Sequence, residues 1–297
     1  MGIILSERCP VCNATTISKW QSAEDYTVSH QQFEIWTCSN CLLRFTHGTP
    51  DAATVGGFYQ SDNYISHTDT ATGLVNRLYH LVRKTTLKRK LRMLRSITGL
   101  HTGHLLDIGA GTGAFAHTMQ QAGWAVTGLE PDSATRQRAE NLYQLQLQDA
   151  NTLFELPEAS FDAITMWHVL EHVHELHAYI EKIKRLLKDK GRALIAVPNY
   201  TSYDATVYGQ YWAAYDVPRH LYHFSPASVK NLLKQHGLNL LAVQPMWFDS
   251  FYISMLSEQY KNGKSNLLKA VWNGLLSNAK TLVNKERCSS VIYVIGK

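Results

Sequence analysis

Apolar residues change their spacing repeatedly along the chain, and each change marks an element. Continuous apolar runs bounded by turn residues at Leu105–Ala110, Ala125–Glu130, Phe161–Trp167 and Ala193–Pro198 predict buried strands. Gln144–Gln148, Leu238–Pro245 and Ser289–Ile295 predict three more. Between most of them the period lengthens to that of an amphipathic helix. Ala114–Ala122 carries Phe115 and Met119 on one face and stops at Gly123; Glu175–Lys188 is followed by Gly191. Strand alternating with helix implies an α/β fold, a doubly wound, mostly parallel sheet of seven strands. The connection before the last strand, 246–288, is long enough to reverse its direction. A second insert, 199–226, follows the fifth strand.

Ahead of the sheet the pattern is shorter and aromatic, with Trp20, Tyr26, Phe33, Ile35 and Trp36 reading as strands of a small ribbon without a sizeable core. Four of the five cysteines bracket it in two C-x2-C knuckles, Cys9-Cys12 and Cys38-Cys41. Each knuckle folds back so that two thiolates reach one ion, and two knuckles complete a tetrahedron. Zinc bound this way supplies folding free energy and keeps no open position, so it is expected to be structural. A redox pair or two disulfides would suit a cytoplasmic chain poorly. Cys288 stands alone and reads as a buried hydrophobe. The expected organisation is a zinc ribbon at 1–48, a linker with a basic helical segment at 49–100, and the sheet domain at 101–297.

Composition adds limits. The chain has 297 residues, 45% of them hydrophobic, enough for one large core and a small appendage. No apolar run approaches the ~20 residues of a membrane span. The N-terminus lacks a charged segment followed by a long apolar one, so a cytoplasmic location is expected. The net charge of +5 is uneven. Thr70–Leu106 contains no acid but holds Arg77, Arg83, Lys84, Lys88, Arg89, Lys90, Arg92 and Arg95 beside a leucine stripe of Leu74, Leu78, Leu81, Leu87, Leu91 and Leu94. Such a stretch is either an amphipathic helix with a solvated basic face or a surface that attracts phosphates.

The first strand ends in LLDIGAGTG, Leu105–Gly113, an acid followed by three glycines in five positions. Glycines there permit unusual dihedrals and let a ligand lie on bare backbone. Gly109-x-Gly111-x-x-Ala114 with Glu130 downstream also satisfies a relaxed dinucleotide fingerprint, so the turn alone leaves the nucleoside cofactor open.

From Leu105 to Lys297, apart from the two inserts, the chain resembles the class I S-adenosylmethionine-dependent methyltransferases, whose fold is Rossmann-like. The resemblance rests on Asp107-x-Gly109-x-Gly111-x-Gly113, on Glu130 in GLEPD, on Asp149 after the third strand, and on FDAITMWHVLEHV, Phe161–Val173. The last segment has no counterpart in nicotinamide enzymes. The resemblance implies that Asp107, Gly109, Gly111 and Gly113 hold the methionine part of S-adenosyl-L-methionine, that Glu130 takes the ribose hydroxyls, and that Asp149 takes the adenine amino group.

If the acceptor is a hydroxyl or an acidic carbon, methyl transfer needs a base. The candidates are His168, Glu171, His172 and His223, with His220 nearby and His168 preferred for its expected proximity to the methyl. The loop also resembles quinone-type O-methyltransferases that hold a divalent metal through Glu-x-x-Glu-His. Here His168 replaces the first carboxylate, which argues against a second metal. The aromatic insert (Tyr200, Tyr203, Tyr208, Tyr211, Trp212, Tyr215, Tyr222 and Phe224) is expected to wall a pocket for a small sugar or phenolic acceptor, or else to pack as a lid. Phe58, Tyr59 and Tyr64 are expected to complete that pocket or dock the ribbon. Two alternatives stand beside this reading: an rRNA base methyltransferase using the basic 74–95 segment, and a non-catalytic zinc-ribbon scaffold.

Overall fold

The ribbon is built by its hairpins. The computed structural model describes residues 2–59 and 74–297, with the side chains of 74–81 outside that description. The expectations for Tyr64, Leu74, Arg77, Leu78 and Leu81 therefore lie outside the described residues. β1 (Ile3–Ile4) pairs with β5 (Thr49–Pro50), while β2 (Ile17–Glu24), β3 (Gln32–Cys38) and β4 (Arg44–His47) form an antiparallel meander. Asp25 closes the β2–β3 turn by accepting backbone hydrogen bonds from Thr27, Val28 and Ser29. The two cysteine knuckles close alike. Cys9 N–H donates to Ala14 and Cys38 N–H to Leu43, and Asn13 and Leu42 take left-handed φ of 58° and 60°.

The main sheet has six strands in the order β11-β12-β9-β8-β6-β7. They are β6 (His104–Ile108), β7 (Ala125–Leu129), β8 (Phe161–Trp167), β9 (Leu187–Pro198), β11 (Asn239–Pro245) and β12 (Ser290–Gly296). β7, β6, β8 and β9 are parallel neighbours, and β12 runs antiparallel between β9 and β11. The seventh expected strand, Gln144–Gln148, shrinks to one bridge between Leu129 and Gln148. The preceding helix runs on to Tyr143, Gln144 caps it with φ 55°, and Asp149 already starts a 3-10 turn. Three polar glutamines at the sheet's rim gain little from further pairing.

Both faces of the central strands are covered, which is why their runs are apolar without alternation. On one face lies α1 (Leu74–Thr98), a single helix. Leu94 is wholly buried there, with Leu87, Leu91, Met93 and Ile97 packed around it against Leu105, Met119 and Leu194. Burying one such leucine is worth about 1.5–3 kcal/mol. On the other face, α4 (Leu176–Leu186) and α6 (Pro226–Gln235) bury Ile180, Ile183, Leu232 and Leu233. Helices α2 (Ala114–Gln121) and α3 (Ser133–Tyr143) complete the first two crossovers.

The ribbon is not a separate appendage. After α5 (Tyr203–Tyr208) the 199–226 insert forms β10 (Tyr222–His223), which pairs antiparallel with β4 and so extends the ribbon's own sheet. Tyr208, Trp212 and Tyr215 form a second core with ribbon residues Ala23 and Ile35 and with Ile253 of α7 (Asp249–Asn262). Tyr200 donates from its hydroxyl to Leu42 O at 2.6 Å, and Tyr222 and Phe224 are buried. The expected aromatic pocket wall is thus mainly packing between ribbon and sheet domain. At the far side of the ribbon, His177 Nε2 donates to Pro10 O at 3.0 Å from α4. The 246–288 insert is a helical hairpin of α7 and α8 (Leu267–Val283) that reverses the chain into β12.

Candidate functional site

At the carboxyl edge of β6 and β7 the backbone of Gly109 and Ala110 donates to Leu129 O, both at 2.8 Å, which brings the glycine turn against Glu130. Gly109 has φ +71° and any side chain there would strike Val169. Gly111 differs: its φ is +54° and nothing lies within 4 Å of where a Cβ would stand. Its bare backbone therefore borders open space. Glu130 lies beside it, accepting from Gly111 N–H at 2.9 Å and from Asp132 N–H at 3.1 Å. Burial raises its pKa despite those two hydrogen bonds.

Asp107 supports the turn from below. It is buried within β6, accepts from Thr165 Oγ1 at 2.7 Å, and burial pushes its pKa up to about 7. Asp149 stands just beyond the Leu129–Gln148 bridge. Its carboxylate caps Asn151 N–H at 3.0 Å and pairs with Arg136 at 3.0 Å. The residues expected to hold the cofactor are thus gathered at one edge, with Asp107 beneath and Asp149 at the side.

Lys90 lies on the buried face of α1, where the sequence predicts only a solvated basic face or a surface that attracts phosphates. Its ammonium lies 3.8 Å from the Trp167 ring centroid, and burial lowers its pKa to about 8, although Asp107 and Asp249 oppose the shift. Lys90 is three residues from Leu87 and four from Leu94, so its place on the apolar face was readable. Among the other described charges of this helix, Arg95 donates to Ala122 O at 2.9 Å and Arg83 reaches Thr112 Oγ1 at 3.5 Å, while Lys84, Lys88, Arg89 and Arg92 are exposed.

The histidines after β8 separate sharply. His168, at φ +59°, has Nε2 3.0 Å from Asp249 and Nδ1 3.3 Å from Glu171. Burial alone would lower its pKa, but the contacts with Asp249 and Glu171 override it and raise the value to about 10. An imidazolium held between two carboxylates has no free lone pair at neutral pH. The two carboxylate contacts favour the protonated ring, which disfavours His168 as the proton acceptor. Asp249, supplied by the 246–288 insert, gave no sign of this role in the sequence.

Because the folded pKa lies above the ordinary 6.5, the stability that His168 contributes is fully present below about pH 6.5 and lost as pH rises through about 10. The fall in melting temperature over that window should be smaller in His168→Gln than in the parent chain; identical profiles would count against the ion pairs.

His172 is the opposite case. Burial, then neighbouring His220, lowers its pKa to about 4. Its Nδ1 lies 3.0 Å from Arg219 O and 3.0 Å from the Tyr59 hydroxyl. A carbonyl can only accept, so Nδ1 carries the proton and Nε2 keeps a lone pair. Glu171 is fully buried, and neither of its carboxylate oxygens has an aligned hydrogen-bond donor. Its pairing with His168 nevertheless outweighs burial and holds its pKa low. Ligand atoms of Glu171, His172 and His220 lie within 4.8 Å of one another, a spacing compatible with a shared ion.

His223 is not brought into this group as a base. It is buried on β10, its Nε2 is 3.0 Å from Thr46 Oγ1, and Tyr215 packs edge-on against its ring. Burial pushes its pKa well down. Its Nδ1 is buried and has no hydrogen-bond partner among the described residues.

The ribbon braces this loop. Arg219, buried in the insert, donates to Asp216, to Asp25 of the ribbon turn at 2.9 Å, and to Phe58 O at 2.8 Å. Leu221 N–H donates to Glu171 O at 2.8 Å. In the ribbon itself, Cys9 and Cys41 Sγ are 3.4 Å apart and Cys12 and Cys38 Sγ 3.6 Å. These separations are far above the ~2.05 Å of a disulfide. They match the ~3.7 Å edge of a tetrahedron with ~2.3 Å Zn–S bonds, so the four thiolates fit one zinc ion.

Comparison with known proteins agrees with this fold. The model of a methyltransferase-domain family matches residues 78–243, more than half of the chain. The ubiquinone biosynthesis O-methyltransferase of Maricaulis maris is 29% identical over 151 residues, covering 46% of this chain and 59% of that protein. That of Rhodopseudomonas palustris is 27% identical over 173 residues, 55% of this chain and 68% of that one. Among solved structures, a SAM-dependent methyltransferase from Archaeoglobus fulgidus has a TM-score of 0.50 at 18% identity, covering 72% of this chain and 94% of its own. That likeness concerns the fold. The chain spans about three fifths of the length of the first of these relatives. It belongs to the methyltransferase-domain family, among the class I S-adenosylmethionine-dependent methyltransferases.

Proposed function

We propose that this protein transfers the methyl group of S-adenosylmethionine to a small acceptor, and that the acceptor is a hydroxyl on a phenolic or quinol-type ring. The observation that carries the cofactor assignment is the open backbone at Gly111, with the Glu130 carboxylate fixed 2.9 Å from its N–H. The named functions of the two quinone-pathway relatives support the acceptor class. When bound, the cofactor supplies an already activated sulfonium methyl, so the protein's tasks are alignment, exclusion of water and removal of one proton.

In this reading Glu130 receives the ribose hydroxyls and Gly109–Gly113 the methionine moiety, while Asp107 and Thr165 hold the turn. His172 takes the acceptor's proton at Nε2, with Nδ1–H anchored on Arg219 O. The Glu171 carboxylate stabilises the imidazolium that results, and His168 positions Glu171. Cys9, Cys12, Cys38 and Cys41 hold a structural zinc.

Calorimetry with S-adenosylhomocysteine tests the cofactor assignment. Glu130→Ala should weaken binding about 10–100-fold, the loss expected for hydrogen bonds to a charged group. Absence of binding to the parent chain would overturn it.

A further inference from the structure

We propose that the outer face of α8 docks on an anionic lipid bilayer, lying in the plane of the headgroups. The inference stands apart from the methyl-transfer reading.

Helix α8 is turned inside out relative to an ordinary surface helix. Leu268, Val271, Trp272, Leu275, Leu282 and Val283 recur at helical spacing along one side and face outward, Leu268 at 86% and Val283 at 89% exposure. The inward side is small and polar: Ala270, Gly274, Ser277 and Thr281 are buried. A side chain at Gly274 would collide with Phe251 of α7, so the two helices are in close contact. Specific hydrogen bonds fix this orientation. Ser277 donates to buried Asp204 at 2.7 Å, Asn273 to the Tyr208 hydroxyl at 2.9 Å, and Asn278 to Trp247 O at 2.9 Å. Rotating the leucines inward would break all three and strand Asp204, which also accepts from Trp212 and Ser289. The outward apolar stripe is therefore a built feature.

Charge selects the occupant. From Gln259 to Lys285 there is no acid, but there are Lys261, Lys264, Lys269, Lys280 and Lys285. Lys269 and Lys280 lie roughly three turns apart on one flank of the stripe. A second copy of the chain would set these lysines against their own kind. An anionic surface takes all of them, while leucines and a tryptophan enter the headgroup–acyl boundary. No described helix is long and apolar enough to cross a membrane, so contact through this face would be along the surface.

Flotation of the full chain with vesicles tests this. Phosphatidylglycerol-containing vesicles should carry the protein at low salt and pure phosphatidylcholine vesicles should not. The surface variants Leu268→Gln/Trp272→Gln should lower partitioning at least 10-fold. Lys269→Gln/Lys280→Gln should lower it roughly 30-fold, given the usual contribution of each lysine near such a surface. Melting temperature and S-adenosylhomocysteine affinity should be unchanged in both. Failure to bind anionic vesicles overturns the proposal, as does binding that ignores these substitutions. Self-association abolished by Leu268→Gln/Trp272→Gln, without vesicle binding, would assign the face to a second copy instead.

Discussion

His172→Asn is expected to lower turnover by about 10²–10⁴-fold, the usual contribution of a positioned general base. S-adenosylhomocysteine affinity should barely change. Asparagine retains an N–H that can serve Arg219 O in place of Nδ1, so the loop is preserved while the lone pair at Nε2 is lost. With the His172 pKa near 4, the parent enzyme should show no histidine-like loss of rate between pH 5 and 7. His168→Gln should cost less, because it removes a bridge between Asp249 and Glu171 and leaves the proton acceptor in place. Initial rates with a catechol-type acceptor decide between the two. A larger defect in His168→Gln would restore His168 to the chemistry and remove His172.

Loss of the zinc proposed for the ribbon should be nearly as severe. Cys38→Ser removes one ligand of the proposed zinc, and a strong chelator removes the ion itself, which supplements the small core of this sheet. Structural zinc sites of this kind contribute on the order of 10–16 kcal/mol to folding in isolated peptides. Here the consequence should travel further. β10 pairs with the ribbon's β4, and Asp25 of the ribbon pairs with Arg219, whose carbonyl anchors His172. Turnover is therefore expected to fall together with zinc content, measured by elemental analysis on the same samples. Zinc-free protein with full turnover and an unchanged melting temperature would show that the ribbon is independent of the site.

What was legible in the sequence follows from how local each signal is. The central strands could be read because burial on both faces demands apolar runs, and Phe161–Trp167 has the expected bounds. The glycine turn could be read because its left-handed positions admit few other residues. Gln144–Gln148 alternates as a strand should, yet alternation does not say whether a rim segment pairs along its length. The histidines were opaque for a different reason. His168 and His172 sit on one loop with pKa values near 10 and 4, and the difference is made by Asp249 and His220, which the sequence does not place. The aromatic insert announced a large apolar surface without indicating that the ribbon would cover much of it.

The pairing of β4 with β10 also sets an order of assembly. During synthesis the ribbon emerges with β4 as a bare edge, and the two residues that cover it, Tyr222 and His223, follow only after most of the sheet domain has been made. Binding of the proposed zinc by the nascent hairpins does not require this long-range closure, whereas completion of the ribbon's sheet does. Transplanting the first fifty residues onto another sheet domain would carry that open edge along, so the ribbon and the 199–226 insert must be exchanged as one unit.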